Sequence, residues 1–348
     1  MRFVNGVLLF VMLVLFVTGV LMLYGTWLPW LFDLHRIAGW AFIALIPWKA
    51  SIIYGSLKRR FGSWDVGVAL SLTLTPLVLL VALLGLLWMW RIGPYITLLG
   101  QTFLSWHWIL GLLLLPLFVA HVVIRWPAPR AADFTSRRGA LRLLALSAVG
   151  IAGWWLGEQL AQARATEERP RRALTGSRRF GAFTGNDFPV TGEGRPQIDL
   201  DEWRLVLSGG REPLALTHEE LLALPREELE QRLDCTNGWY TLQRWQGVPL
   251  ARLIEEVADP SQVAGVRIIS ATGFNHTFTA REVESILFAT HVGDEALSVR
   301  HGAPLRAIVP ERRGWFWVKW ISHVELLDNR LEVLAGLLAA PREVLRQM

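Results

Sequence analysis

Apolar residues fill the first 160 positions in long runs, and the pattern then breaks into short mixed segments. Five runs reach the roughly 20 residues that carry an α-helix across about 30 Å of hydrocarbon. They cover residues 4–24, 35–54, 66–90, 106–126 and 140–160, and they predict five membrane spans. Beyond position 203 the apolar runs shorten to "WRLVLSGG", "AGVRIISATGF", "APLRAIVP" and "WVKWISHVELL". Gly, Pro and Asp separate them, which is the punctuation of β-strands. Between them "THEELLALPREEL" and "PLARLIEEV" read as helices, with Thr217 and Glu220 spaced for a capping box. Strands and helices mixed without a regular βαβ rhythm predict an α+β domain. The expected organisation is a helical bundle over 1–130, a fifth span and linker over 131–180, the α+β domain over 181–330, and an amphipathic helical tail over 331–348.

Charge sharpens the division. Residues 1–165 carry 13 Lys and Arg against 4 Asp and Glu, whereas the rest carries 22 against 26, so the net +5 hides opposite signs. The basic excess sits between the apolar runs, at Lys58, Arg59 and Arg60 and again at Arg125, Arg130, Arg137, Arg138 and Arg142. Cytoplasmic loops are enriched in this way, so the N-terminus is expected inside and everything after residue 160 outside. The predicted location is the cytoplasmic membrane, multi-pass and in contact with membrane lipid, with an extracytoplasmic, periplasmic C-terminal domain. The first run lacks a small-residue cleavage site, so a removed signal peptide is not expected. Basic and aromatic residues do not interleave as a phosphate-tracking surface requires, which argues against nucleic acid. No Walker loop or GxGxxG follows a strand. A single cysteine, Cys235, excludes an intramolecular disulfide and any CxxC metal site.

Ionisable residues at membrane depth are costly and are functional candidates for that reason. His107 and His121 lie fourteen residues apart on the fourth run, a rise of roughly 21 Å with little net rotation. On the second run, which crosses in the same direction, His35 and Lys49 have the same spacing. Level pairing puts His35 with His107 near the outer face and Lys49 with His121 near the inner face. This reads as two stacked haem sites, the outer held by His35 and His107 and the inner by His121 with Lys49. Residues 4–126 accordingly resemble the four-helix, haem b-binding membrane subunits of respiratory oxidoreductases. That resemblance implies one haem b, a second only if a neutral Lys49 replaces the usual histidine, and the quinone/quinol pool as electron partner.

Ahead of the fifth run, "SRRGALR" (136–142) resembles a twin-arginine export signal with Ala140 in place of the usual large apolar residue. Residues 162–179 read as a solvated linker.

Cys235 stands in "DCTNGWY", read as a loop after a helix and before the strand-like "TLQRWQGV". On its residues alone it is open to three roles: nucleophile, soft-metal ligand or inert buried thiol. The longer segments "DCTNGWYTLQRWQGVPLARLI" and "HGAPLRAIVPERRGWFWVKWISHVEL" closely resemble the sulfite-oxidase-like molybdopterin family over about 186–327. The resemblance implies that Cys235 ligates molybdenum through its thiolate. It also implies that His301, Arg306 and Lys319 hold the pterin and its phosphate, with Gly302 allowing close backbone approach. Asn186, Trp317 and Val318 are further expected pterin contacts, and Trp239, Tyr240, Trp315 and His276 are expected to line a substrate pocket. "TNGWY" replaces an Arg-rich stretch, and only about twenty residues follow Asp328. Both features place the expectation nearer to periplasmic methionine-sulfoxide reductase catalytic subunits than to sulfite oxidases proper.

The predicted fold class is therefore an all-α transmembrane bundle of five spans followed by an α+β sulfite-oxidase-like molybdopterin domain. The implied function is oxygen-atom transfer with a small-molecule oxygen donor or acceptor, at Mo-molybdopterin wired to haem b. An alternative from another class is a membrane-anchored binding module on the same scaffold, with no haem and no turnover.

Overall fold

A computed structural model describes residues 2–24, 28–59, 65–94, 96–126, 130–165, 173–179, 183–190 and 196–339. Arg60, residues 166–172 of the expected linker and residues 340–348 of the expected tail lie outside the described residues. The chain divides into two compact units, Met1–Arg179 with Thr236–Gly238, and Phe180–Cys235 with Trp239–Met348.

The first unit is helical: α1 (Arg2–Tyr24), α2 (Trp30–Arg59), α3 (Val66–Trp90), α4 (Phe103–Ile124), the short α5 (Ala131–Thr135) and α6 (Arg137–Ala163), followed by a two-residue strand β1 (Arg178–Arg179). All but α5 are long and apolar enough to cross a membrane. Side chains start them: Asp65 caps α3 at the amide of Val68, Thr102 caps α4 at Ser105, and Ser136 caps α6 at Gly139. Pro47, Pro76 and Pro116 sit inside α2, α3 and α4. α1 packs on α2, and α3 on α4.

α6 lies against α2 through small residues. A Cβ on Gly150 would come within 2.9 Å of the Ile37 carbonyl oxygen, and one on Gly153 within 2.7 Å of the Trp40 ring. Such glycines let two helix backbones approach closely. Near the start of α2, Arg36 pairs with Asp33 (3.2 Å) and with Glu158 of α6 (3.4 Å), while the Trp154 indole donates to Asp33 (3.1 Å). At the other end, the Arg142 guanidinium lies over the rings of Phe3 and Trp48. The core between these ends includes Val4, Val7, Phe42, Leu45, Leu74 and Leu114.

The second unit is α+β. One sheet has the order β3 (Leu214–Thr217), β2 (Arg204–Ser208), β11 (Ile321–Leu327), β6 (Gly265–Ser270), β7 (Asn275–Thr279). Only β2 and β11 run parallel, in the register His323↔Val206. The other sheet runs β4 (Glu227–Asp234), β5 (Trp239–Pro249), β8 (Leu287–Val292), β10 (Arg306–Ile308), with β9 (Glu295–Ala296) paired to β8. Short helices α7 (His218–Ala223), α8 (Leu250–Val257), α9 (Ala280–Val283) and α10 (Arg330–Leu338) complete the unit. α8 buries Leu250, Leu253, Ile254 and Val257, the spacing of one helical face. The capping box at Thr217 and Glu220 forms as the spacing predicts.

One element differs from the sequence reading. "PREEL" is not helix: α7 stops at Ala223, Pro225 follows, and residues 227–234 form β4, paired with β5 from Glu227↔Gly247 to Asp234↔Tyr240. Cys235 thus follows a strand. Good helix formers yield here because eight residues of cross-strand pairing outweigh a weak local propensity.

Candidate functional site

In the sheet unit, Cys235 closes the β4–β5 connection. Its amide donates to the Trp239 carbonyl (2.8 Å), its side chain is half-buried, and Gly238 supplies the positive φ of 86° that residues with a Cβ avoid. The Arg313 guanidinium donates to the Cys235 carbonyl (2.9 Å) and pairs with Asp234 (3.4 Å). Both members of this ion pair are only about 4 % exposed. A Cβ on Gly314 would stand 3.8 Å from the Cys235 Cα, so the Arg313–Gly314 turn lies directly against the cysteine backbone.

The second group gathers around "HGAPLR". His301 is buried; its Nε2 faces the Phe188 carbonyl at 2.9 Å and its Nδ1 the Ser298 hydroxyl at 2.8 Å. A carbonyl only accepts, so Nε2 carries the proton and Nδ1 accepts from Ser298. Burial, chiefly, together with the charges of Arg306, Lys319 and Arg300 holds His301 below the ordinary histidine range, against the contrary pull of the Phe188 carbonyl. It is thereby kept a neutral brace. The Arg306 guanidinium donates to the His301 carbonyl (2.8 Å) and sits among the rings of Trp245, Trp317 and Phe188 at 5.5–5.9 Å. Lys319 is half-buried with its ammonium 5.3 Å from the Trp320 ring centre.

Gly302 has φ 117°, and a Cβ there would press on Arg306 and on Lys319 at 3.1 Å. The structure therefore brings His301, Gly302, Arg306 and Lys319 together. Trp320, next to Lys319, is held at φ 53° by contacts of its backbone with Gly302 and Ala271, the kind of backbone strain that clusters at functional sites.

Asn186 is a latch to the same region: its side-chain oxygen accepts from the Ser298 amide (2.8 Å) and its nitrogen donates to Glu295 and Ala296. Trp317 and Val318 are fully buried, and the Trp317 indole donates to the Arg312 carbonyl (3.1 Å). Of the residues expected around a substrate, Trp239 is buried, Tyr240 is half-buried beneath Arg232, and Trp315 is 42 % exposed. His276 is packed among Phe274, Phe316 and Phe278, with a buried Nε2 that has no hydrogen-bond partner. Burial, above all, holds its pKa down to about 4.

Sequence reasoning missed Asp234, Ser298 and Arg313. The signal for the last was present in "PERRGWFW", two arginines followed at once by a glycine and three aromatics. Among the described residues no three His, Cys, Asp or Glu converge as a self-contained metal site. A metal at Cys235 must therefore bring most of its own ligands. One soft thiolate, with a buried guanidinium, a half-buried ammonium and a glycine-lined turn elsewhere in the same unit, matches an anionic cofactor that carries its own sulfur and phosphate.

In the helical unit, His35 and His107 come together with ring centres 6.1 Å apart and planes at 84°. His107 Nδ1 lies 2.8 Å from the Val81 carbonyl and must donate to it. His35 Nδ1 lies 2.9 Å from the Thr18 hydroxyl, which itself donates to the Val14 carbonyl (2.6 Å), so His35 also donates. Both rings are fixed in the tautomer that leaves Nε2 with a lone pair. Gly85 gives the His107 ring its space, since a Cβ there would lie 3.1 Å from it. Lys49 and His121 are not joined in this way: the Lys49 ammonium donates to Asn5 (2.9 Å), and His121 Nδ1 is buried without a hydrogen-bond partner.

Comparison with known proteins adds the family. The oxidoreductase molybdopterin binding domain matches residues 192–333. The chain is 30% identical over 234 residues, 57% of this chain and 72% of the relative, to the protein-methionine-sulfoxide reductase catalytic subunit MsrP of Xanthomonas axonopodis pv. citri. It is 28% identical over 144 residues, 40% of this chain and 73% of the relative, to the uncharacterized oxidoreductase YuiH of Bacillus subtilis. Among solved structures, the sulfane dehydrogenase SoxCD from Paracoccus pantotrophus aligns with TM-score 0.37 at 25% identity, covering 39% of this chain and 41% of that one. With the family domain matched over residues 192–333 and 30% identity spanning 72% of the methionine-sulfoxide reductase subunit, the chain belongs to the molybdopterin-binding oxidoreductase family and is an enzyme.

Proposed function

We propose that this enzyme reduces a sulfoxide outside the cytoplasmic membrane with electrons drawn from the quinol pool through one haem b. The observation that carries the reading is the His35–His107 pair, two imidazoles with free Nε2 lone pairs in the same chain as Cys235. Imidazoles with an unprotonated Nε2 are the donors a haem iron takes, so His35 and His107 would be the residues that hold it. Reduction of R₂S=O to R₂S and water consumes two protons and two electrons, and a quinol supplies both when it becomes a quinone. The relative's name supplies the substrate class.

When bound, molybdenum–pterin supplies two-electron oxygen-atom transfer and haem supplies one-electron relay; the protein binds, orients and tunes them. Cys235 is the protein's ligand to molybdenum. Arg306 and Lys319 hold the anionic cofactor, and Gly302 keeps the backbone close to both. His301 acts as a positioning residue, since both ring nitrogens are engaged inside the protein and its carbonyl anchors Arg306. Asn186 positions Ser298, which in turn orients His301. Arg313 fixes the Cys235 turn.

His35 and His107 are the haem ligands, oriented by Thr18 and the Val81 carbonyl. Lys49 is engaged with Asn5, which favours one haem over two. Five apolar helices and the basic residues flanking them support a multi-pass membrane protein with its sheet unit outside; the 136–142 stretch serves as a twin-arginine signal for a domain exported folded.

The test is anaerobic. Purified enzyme reduced with a quinol is expected to show a reduced b-type band, and added methionine sulfoxide is expected to reoxidise it with release of sulfide product. A band that forms but does not respond to any sulfoxide contradicts the substrate. A band that never forms with quinol contradicts the electron route.

A further inference from the structure

The start of α6 carries a shallow, open surface hollow of about 430 Å³ lined by Arg137, Arg138, Leu141, Arg142 and Ala145, all of α6. Three guanidiniums within six residues repel one another, and among the described residues none of the three forms an ion pair. Arg142 is stacked, 5.6 Å from the Phe3 ring centre and 5.1 Å from that of Trp48. Its guanidinium is thus set against rings of α1 and α2, while the residue as a whole stays exposed. The remaining lining, Leu141 and Ala145, is apolar and spaced one helical turn apart, with Leu141 58 % exposed.

A cationic rim over an apolar floor does not suit a free anion, which gains nothing from the floor. It suits a molecule with a phosphate at one end and hydrocarbon at the other. Basic clusters beside membrane helices at the cytoplasmic face attract anionic lipid headgroups on these terms. Guanidiniums add forked, two-point hydrogen bonding to phosphate oxygens.

We propose that this hollow is a specific site for the phosphate headgroup of an anionic phospholipid in the inner leaflet, with Arg137, Arg138 and Arg142 gripping the phosphate and Leu141 and Ala145 meeting the first acyl methylenes. The inference rests on the reading of α6 as a membrane helix that begins inside. The stretch read as an export signal would then have a second life in the mature protein.

The experiment uses the full chain in mild detergent, titrated with phosphatidylglycerol, phosphatidylcholine or inorganic phosphate and read by native mass spectrometry. Wild type is expected to retain phosphatidylglycerol in preference to phosphatidylcholine. The triple variant R137Q/R138Q/R142Q is expected to lose that preference by about 100-fold, roughly fivefold per arginine. A charge-matched triple outside the hollow, R2Q/K58Q/R130Q, is expected to keep it, and R142K is expected to keep most of it while guarding against misfolding of the triple.

Equal loss in both triples, or no loss in either, overturns the site in favour of diffuse surface charge. Saturable binding of inorganic phosphate without preference between the lipids overturns a lipid occupant. Alkaline extraction of cell membranes separates the two levels: release of the chain contradicts the membrane reading itself, whereas retention with no lipid preference contradicts only the site.

Discussion

Under the proposed function, the helical unit and the sheet unit would receive a metal in opposite ways. Around His35 and His107 the protein supplies two imidazoles, each turned by a hydrogen bond to its Nδ1, so that a metal would arrive at a finished pair. Around Cys235 it supplies one sulfur on a turn braced by Arg313, with cationic groups arranged elsewhere in the unit for a cofactor that brings its own ligands. The difference is in where specificity lies. A donor pair selects by geometry, whereas a single thiolate selects little, and the cradle around the cofactor must do the selecting.

That contrast is broken most severely by removing a donor from each side. Cys235→Ser is expected to lower sulfoxide turnover by several orders of magnitude while leaving the haem spectrum intact. His107→Leu is expected to abolish the b-type band while molybdenum content is retained, and His121→Leu is expected to leave the band in place. Absorbance and elemental analysis read all three, and loss of both cofactors in either of the first two variants would show that the units do not load independently.

The brace ranks next. Removing one partner of a buried ion pair costs roughly 3–5 kcal/mol, so Arg313→Met should destabilise the sheet unit by about that amount, read by denaturant unfolding. Asp234→Asn in the same background should recover part of the loss; no recovery would mean that the guanidinium acts through the Cys235 carbonyl alone.

Acid sharpens the picture of the sheet unit. His276 has a native pKa near 4 because of its burial, below the ordinary value of about 6.5. Between those values the unfolded chain binds the proton and the folded chain does not, so stability is intact above pH 6.5 and falls as pH drops toward 4. The loss should approach about 3 kcal/mol, and His276→Gln should flatten it. A melting temperature equally steep in pH for both proteins would remove His276 from the explanation. The smallest expected effect is at Thr18: Thr18→Val removes the acceptor for His35 Nδ1 and should weaken haem retention by about 10–100-fold, read as haem loss to apomyoglobin.

Much of this was legible in the sequence because spacing and chemistry coincide. Fourteen residues between His107 and His121 mark a helical face whatever surrounds it, and the His35–His107 meeting follows from two helices running in one direction. The engagement of Lys49 with Asn5 of α1 was not legible, since it is a contact with no local signature. The same holds for "PREEL", whose residues favour helix until β5 offers eight pairing positions. Arg313 escaped notice because a buried arginine and a surface arginine look alike until their partners are known, and Asp234 is 79 residues away in the chain.

The most direct measurement is the molybdenum and haem content of the purified full chain, taken together with its reduced-minus-oxidised spectrum. One molybdenum and one b-type haem per chain are expected. Molybdenum without any haem band would contradict the role given to His35 and His107, and absence of both would contradict the enzyme as described.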